Sequence, residues 1–305
     1  MNFKSCITEY LQYCRYRKEL DEKTIKAYRI DLGQMGLYIG DDIFNRFLLD
    51  SYITDLHRRY KQKTVKRKIA SIKAFYSWLE ERELLEEENP FRRIKVRFKE
   101  EKVLPRIIPR EEIKKLFRYM YLIKSRNAND RAIRRDLAVV EMLFATGARV
   151  YEISNMKSDA VDLVSGTIRI MGKGKKERYL QICNKEVIQC INDYYDSWKE
   201  EIEETGYFFV NARGKQLSEQ SIREMIKKYS TDAGLSTEIT PHMFRHSVAT
   251  YLIEEGADIS QVQKILGHSS IKTTQIYIYV AAKMQAEVLR MFHPRNKMEF
   301  QLETK

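Results

Sequence analysis

The stretch His57-Arg-Arg-Tyr-Lys-Gln-Lys-Thr-Val-Lys-Arg-Lys-Ile-Ala-Ser-Ile-Lys-Ala-Phe-Tyr-Ser-Trp-Leu79 sets the fold class of the first part of this chain. Val65, Ile69, Ile72, Tyr76 and Leu79 recur at intervals of four and three, which lays one apolar stripe along a helix. Between His57 and Trp78 the same stretch carries eight cations, Arg58, Arg59, Lys61, Lys63, Lys66, Arg67, Lys68 and Lys73, and no acid. A face that is merely solvated alternates the sign of its charges. This one predicts a helix with a core side and a side for a polyanion.

Working outward, Thr24 to Ile39 repeats the helical spacing, so residues 1–89 read as an all-helical bundle. No glycine occurs between Gly40 and Gly147, and Pro90, Pro105 and Pro109 fall close together, which marks a linker. The expected organisation is a helical domain over 1–96, a linker over 97–109 and a second domain over 110–305. In the second domain, Glu111–Met120 and Asp136–Thr146 read as helices. Thr167–Met171 and Glu177–Ile182 alternate as strands around a Gly-Lys-Gly-Lys turn. Thr240 and Pro241 start a helix that ends near Gly256, and Asp258 starts another that stops at Gly267. The chain is therefore read as mainly α with a small β-sheet.

Composition narrows the function. The 305 residues suffice for two domains of about 150 residues, and the formal charge is +12, of which residues 1–99, with 22 basic and 15 acidic side chains, carry +7. A polyanion is the partner this charge favours. No apolar run is long enough for a membrane span, the first residues lack a signal peptide's apolar stretch, and a cytoplasmic, nucleoid-associated protein is expected. Cys6, Cys14, Cys183 and Cys190 lack C-x2-C spacing and read as buried free thiols, with no metal site.

The motifs G-x-x-x-x-G-K-[ST], G-x-S-x-G and H-E-x-x-H are missing, which speaks against nucleotide-driven, esterase-type and zinc-dependent chemistry. What remains is a scatter of groups suited to phosphate: Arg149, Lys173, His242, Arg245 and His268, each beside a glycine or a helix start. His242 falls in a first helical turn, whose open N–H groups favour an anion, and Arg245 follows on the same face. Tyr277 lies nine residues past His268, and its phenol is a candidate nucleophile.

Taken together, these groups resemble the ordered signature of the tyrosine recombinase (phage integrase) family: Arg, Lys, His-x-x-Arg, His or Trp, Tyr. Leu266-Gly-His-Ser-Ser-Ile-Lys-Thr-Thr-Gln-Ile-Tyr277 and Gly172-Lys-Gly-Lys-Lys-Glu-Arg178 are similar to segments of its Xer subgroup. So are Thr24-Ile-Lys-Ala-Tyr-Arg-Ile-Asp-Leu32 and His293-Pro-Arg295. The resemblance runs from about residue 5 to residue 296, with one departure: Tyr279 stands where the Xer pattern commonly has a histidine.

The resemblance implies an N-terminal SAM-like core-binding bundle and a C-terminal catalytic domain that form a C-shaped clamp on double-stranded DNA at a specific site. It implies a homotetramer, or a heterotetramer with a paralogue, in which the segment after about Tyr279 passes to a neighbour. Tyr277 would attack the scissile phosphate to give a 3′-phosphotyrosyl link. Arg149 and Arg245 would hold the non-bridging oxygens, Lys173 would protonate the leaving 5′ oxygen, His242 would assist proton transfer, and His268 would hydrogen-bond the phosphate. Glu152 would support the site, and no metal, ATP or other cofactor is required. Arg59, Lys63, Lys66, Arg67 and Lys73 are the expected DNA contacts of the first domain. A catalytically inactive DNA-binding relative and a type IB topoisomerase are the alternatives.

Overall fold

The computed structural model describes residues 3–40, 42, 45–85, 88–94, 96, 98, 106–172, 176–267, 290 and 291. Two compact units result, residues 1–102 and 103–305. The first contains helices α1 (Phe3–Tyr16), α2 (Glu22–Ile39), α3 (Arg46–Arg59) and α4 (Gln62–Glu81). Each of the five stripe residues, Val65, Ile69, Ile72, Tyr76 and Leu79, is buried there. Burying each such side chain contributes about 1.5–3 kcal/mol. Phe75 and Trp78 widen the stripe and meet Tyr10 of α1 at ring distances of 5.3 and 5.4 Å. Asp21 and Asn45 cap α2 and α3 by accepting first-turn N–H bonds.

One of the eight cations departs from the sequence picture: Lys68 points inward and is 3% exposed. Its ammonium donates to Asp31 Oδ1 of α2 at 2.9 Å and to Gln34 Oε1 at 2.5 Å, and lies 5.0 Å from the Tyr60 ring. Asp31, fully buried, also accepts from Arg67 and from Ser71 Oγ at 2.8 Å. Breaking such a buried pair by removing one partner costs about 3–5 kcal/mol.

The second unit is built around α6 (Arg131–Thr146), in which every residue from Leu137 to Leu143 is buried. This helix is packed by α5 (Arg110–Arg126), α8 (Lys185–Thr205), α9 (Glu219–Asp232) and α10 (Pro241–Glu254), with α7 (Val150–Ser154) directly after it. An antiparallel sheet runs in the order β1 (Val161–Asp162), β2 (Thr167–Met171), β3 (Glu177–Gln181), with Met171 opposite Glu177 at the hairpin end. Two-residue β1 is too short to show an alternation, which is why the sequence reading lacks it. Asp258 caps α11 (Ile259–Leu266) through the N–H groups of Ser260 and Gln261, and Gly267 ends it in the left-handed conformation. Cysteine burial needs one correction: Cys6, Cys14 and Cys190 are buried, whereas Cys183 is exposed, because it lies in the loop between β3 and α8 rather than on a core face.

Candidate active site

Four short segments of the second unit are tied together around Glu152 and two arginines, Arg178 and Arg245. The first begins at Gly147, which ends α6 with φ +58° and on which a Cβ would come within 2.6 Å of Leu266 Cδ2. A side chain there would be strained by the backbone and would have to push Leu266 aside. Two residues on, Arg149 caps α7, and Glu152 reaches back from the first turn to accept the Arg149 N–H at 2.8 Å. Glu152 Oε1 also accepts from Arg149 Nη1 at 2.9 Å.

The second segment is β3. Arg178 donates Nη1 and Nη2 to the two Glu152 oxygens at 3.0 and 2.7 Å and Nε to the Ile265 carbonyl at 2.9 Å. Such a bidentate pair fixes direction as well as distance. Glu152 is 4% exposed. Burial pushes its carboxyl up, but the Arg178 hydrogen bonds, the Arg149 N–H and both positive charges outweigh that and hold it below its ordinary value. It is therefore a fixed anion between two arginines.

α10 and α11 supply the rest. Arg245, buried on α10, donates Nη1 to the Gly147 carbonyl at 2.9 Å and Nη2 to the Leu266 carbonyl. The end of α6, α10 and the end of α11 are thereby tied through one guanidinium. His242 lies one turn earlier, at the exposed start of α10. Desolvation lowers its pKa first, and the charges of Arg223, Arg245 and Arg149 lower it further, so the imidazole is neutral at pH 7.

The structure thus brings Arg149, Glu152, His242 and Arg245 together. Lys173, His268, Tyr277 and Tyr279 lie outside the described residues. Gly172, before Lys173, and Gly267, before His268, do reach the cluster: a Cβ on Gly172 would sit 3.8 Å from Glu152 Oε1, and one on Gly267 would sit 3.1 Å from Arg178 Nη1. Sequence reasoning quoted Arg178 without giving it a role. A basic residue at an inward strand position was the available signal. Arg223, whose charge reaches His242, offered no comparable one. Among the described residues no group of three or more His, Cys, Asp or Glu is placed to hold a metal ion.

The expected DNA contacts belong to the first unit. Lys63, Lys66, Arg67 and Lys73 share the exposed face of α4 with Ala70 and Ser77, and the acid Glu81 is exposed only at the helix's last residue. Arg59, at the end of α3, pairs with Asp55 at 2.9 Å.

Replacing Glu152 by Gln should lower stability by roughly 2 kcal/mol, less than for a fully enclosed pair because Arg149 is half-exposed. Thermal unfolding reads this. DNA cleavage by the variant should fall more than DNA binding, since Arg149 loses its anchor. Unaltered cleavage would show that Arg149 holds its place without the carboxylate.

Comparison with known proteins gives two family models, the "Phage integrase, N-terminal SAM-like domain" over residues 7–83 and the "Phage integrase family" over 106–284. A tyrosine recombinase of Agathobacter rectalis is 44% identical, covering 98% of this chain and 99% of the relative. Tyrosine recombinase XerD of Staphylococcus haemolyticus is 34% identical, over 96% and 99% of the two chains. Among solved structures, the XerH site-specific recombinase bound to palindromic difH substrate, a post-cleavage complex, shares the fold with a TM-score of 0.72 at 20% identity. It covers 94% of this chain and 84% of that one.

Proposed function

This chain belongs to the phage integrase family of tyrosine recombinases and is a site-specific DNA recombinase, and we propose that it cuts and rejoins each strand through a phosphotyrosyl link to Tyr277. The observation that carries the chemistry is the convergence of Arg149, Arg245 and His242 on one buried framework. In this reading the two guanidiniums hold the two non-bridging oxygens of the phosphate and stabilise the charge of its five-coordinate transition state. The Tyr277 oxygen bonds to phosphorus while the bond to the 5′ oxygen breaks, leaving a 3′-phosphotyrosine and a free 5′-hydroxyl. His242, neutral at working pH, takes the phenol proton, Lys173 gives one to the departing oxygen, and His268 hydrogen-bonds the phosphate. A 5′-hydroxyl from another strand then attacks the link and releases the tyrosine. The phosphodiester energy is kept in the link, so ATP and a metal have no step to supply.

The substrate is double-stranded DNA at a specific site, gripped in part by the α4 stripe. Four protomers, of this chain alone or with a paralogue, assemble on two duplexes, because each exchange needs two active nucleophiles at a time. No described helix is long and apolar enough to cross a membrane, and the work on DNA fits a cytoplasmic, nucleoid-associated place.

The test is a nicked suicide substrate, from which the cleaved fragment diffuses away and traps the adduct on a denaturing gel. Adduct is expected without added nucleotide or metal. Its single-turnover rate should hold from pH 7 to 8 and fall as the pH drops below the ordinary histidine value of about 6.5, because protonated His242 accepts nothing. A rate rising with acidity would remove His242 as the acceptor. Binding without adduct would favour the inactive relative, and relaxation of a plasmid lacking any site would favour the topoisomerase.

A further inference from the structure

Within the α4 stripe, Arg67 is held by a carboxylate from inside the bundle. Its side chain is 47% exposed, yet Nη1 is bonded to Asp31, which is fully buried. That carboxylate cannot follow Arg67 outward, because Lys68 Nζ and Ser71 Oγ also hold it, at 2.9 and 2.8 Å. Lys68 is held in turn by Gln34. One edge of a planar fork with five N–H donors is therefore fixed from inside the bundle, while the rest of the side chain meets solvent.

A lysine on a flexible stem attracts any nearby phosphate and contributes mainly salt-dependent affinity that is blind to sequence. A guanidinium already held in one orientation loses less freedom on binding and requires its acceptors in a fixed place. On a duplex, the paired acceptors that match such a fork are guanine O6 and N7 in the major groove. We propose that Asp31 is a positioning residue that makes Arg67 a sequence-reading contact, aimed at a guanine edge, whereas the lysines of the stripe supply general attraction. This rests on the reading of the α4 stripe as a DNA surface. Ala70 and Ser77 on the same face leave room for close approach.

The full-length chain is used to select duplexes from a randomised library, and affinities for the selected and a scrambled duplex are then measured across a salt series. Lys66→Ala should weaken both alike and reduce the salt slope by about one. Arg67→Lys, an exposed change that keeps the charge, should leave the slope but cut the selected-to-scrambled ratio by about tenfold and relax one guanine position. Asp31→Asn combined with Lys68→Met removes both buried charges without stranding either. With a melting curve confirming its fold, this double variant should reproduce the Arg67→Lys loss. Retained selectivity in Arg67→Lys would overturn the assignment of Arg67, and retained selectivity in the folded double variant would overturn that of Asp31. An unaltered slope in Lys66→Ala would instead remove the stripe from the interface.

Discussion

Tyr277→Phe is expected to abolish the covalent protein–DNA adduct while leaving affinity for the site nearly unchanged. The substitution removes one oxygen and no charge, so the contacts that recognise DNA persist while the atom that attacks phosphorus is gone. Arg149 keeps its bond to Glu152, and Arg245 keeps its bonds to the carbonyls of Gly147 and Leu266. Tyr279→Phe is the matched control and should keep the adduct. If the two variants behave the other way round on the denaturing gel, Tyr279 is the nucleophile and the spacing from His268 has been misread.

The second large effect concerns Lys173. Its predecessor Gly172 stands beside the Glu152 carboxylate, and Gly172 N–H bonds the Lys176 carbonyl at 2.8 Å across the base of the hairpin. A lysine here can serve as proton donor or can grip the backbone, and the two roles make different demands. As donor, Lys173→Ala should slow cleavage of ordinary DNA by roughly 10²–10⁴-fold. With sulfur at the bridging 5′ position the leaving group departs without a proton, so the variant should regain most of its rate. Arg149→Ala should stay slow on the same substrate, because the charge on the non-bridging oxygens is unaltered. Single-turnover cleavage of both substrates reads this directly. Failure of sulfur to rescue Lys173→Ala would assign the lysine to backbone binding and leave Lys175 as the next donor to test.

The architecture was legible in the sequence wherever one element's own pattern carried it. The stripe of Val65, Ile69, Ile72, Tyr76 and Leu79 fixes which side of α4 is inside, since helical period and apolar spacing are properties of the segment alone. The helix starts at Asp258 and Pro241 and the stop at Gly267 follow from capping and φ preferences that act within one turn. The order Arg149, Lys173, His242, Arg245, His268, Tyr277 pointed to phosphate chemistry because few chemistries use that set.

Tertiary structure decided what depends on a distant partner. Lys68 sits in the same basic run as Lys66 and Arg67, but only the packing of α2 against α4 places Asp31 where it draws Lys68 inward and ties Arg67 at its edge. Glu152 was expected to support the site, whereas its pairing with Arg178, 26 residues on, needed β3 folded back beside α7. Arg245 became a tie between Gly147 and Leu266 only when the ends of α6 and α11 met beside α10. Local patterns set which way a side chain points along its own element, but the partner of a buried charge is chosen by which elements pack together, and one element's periodicity holds no record of that choice.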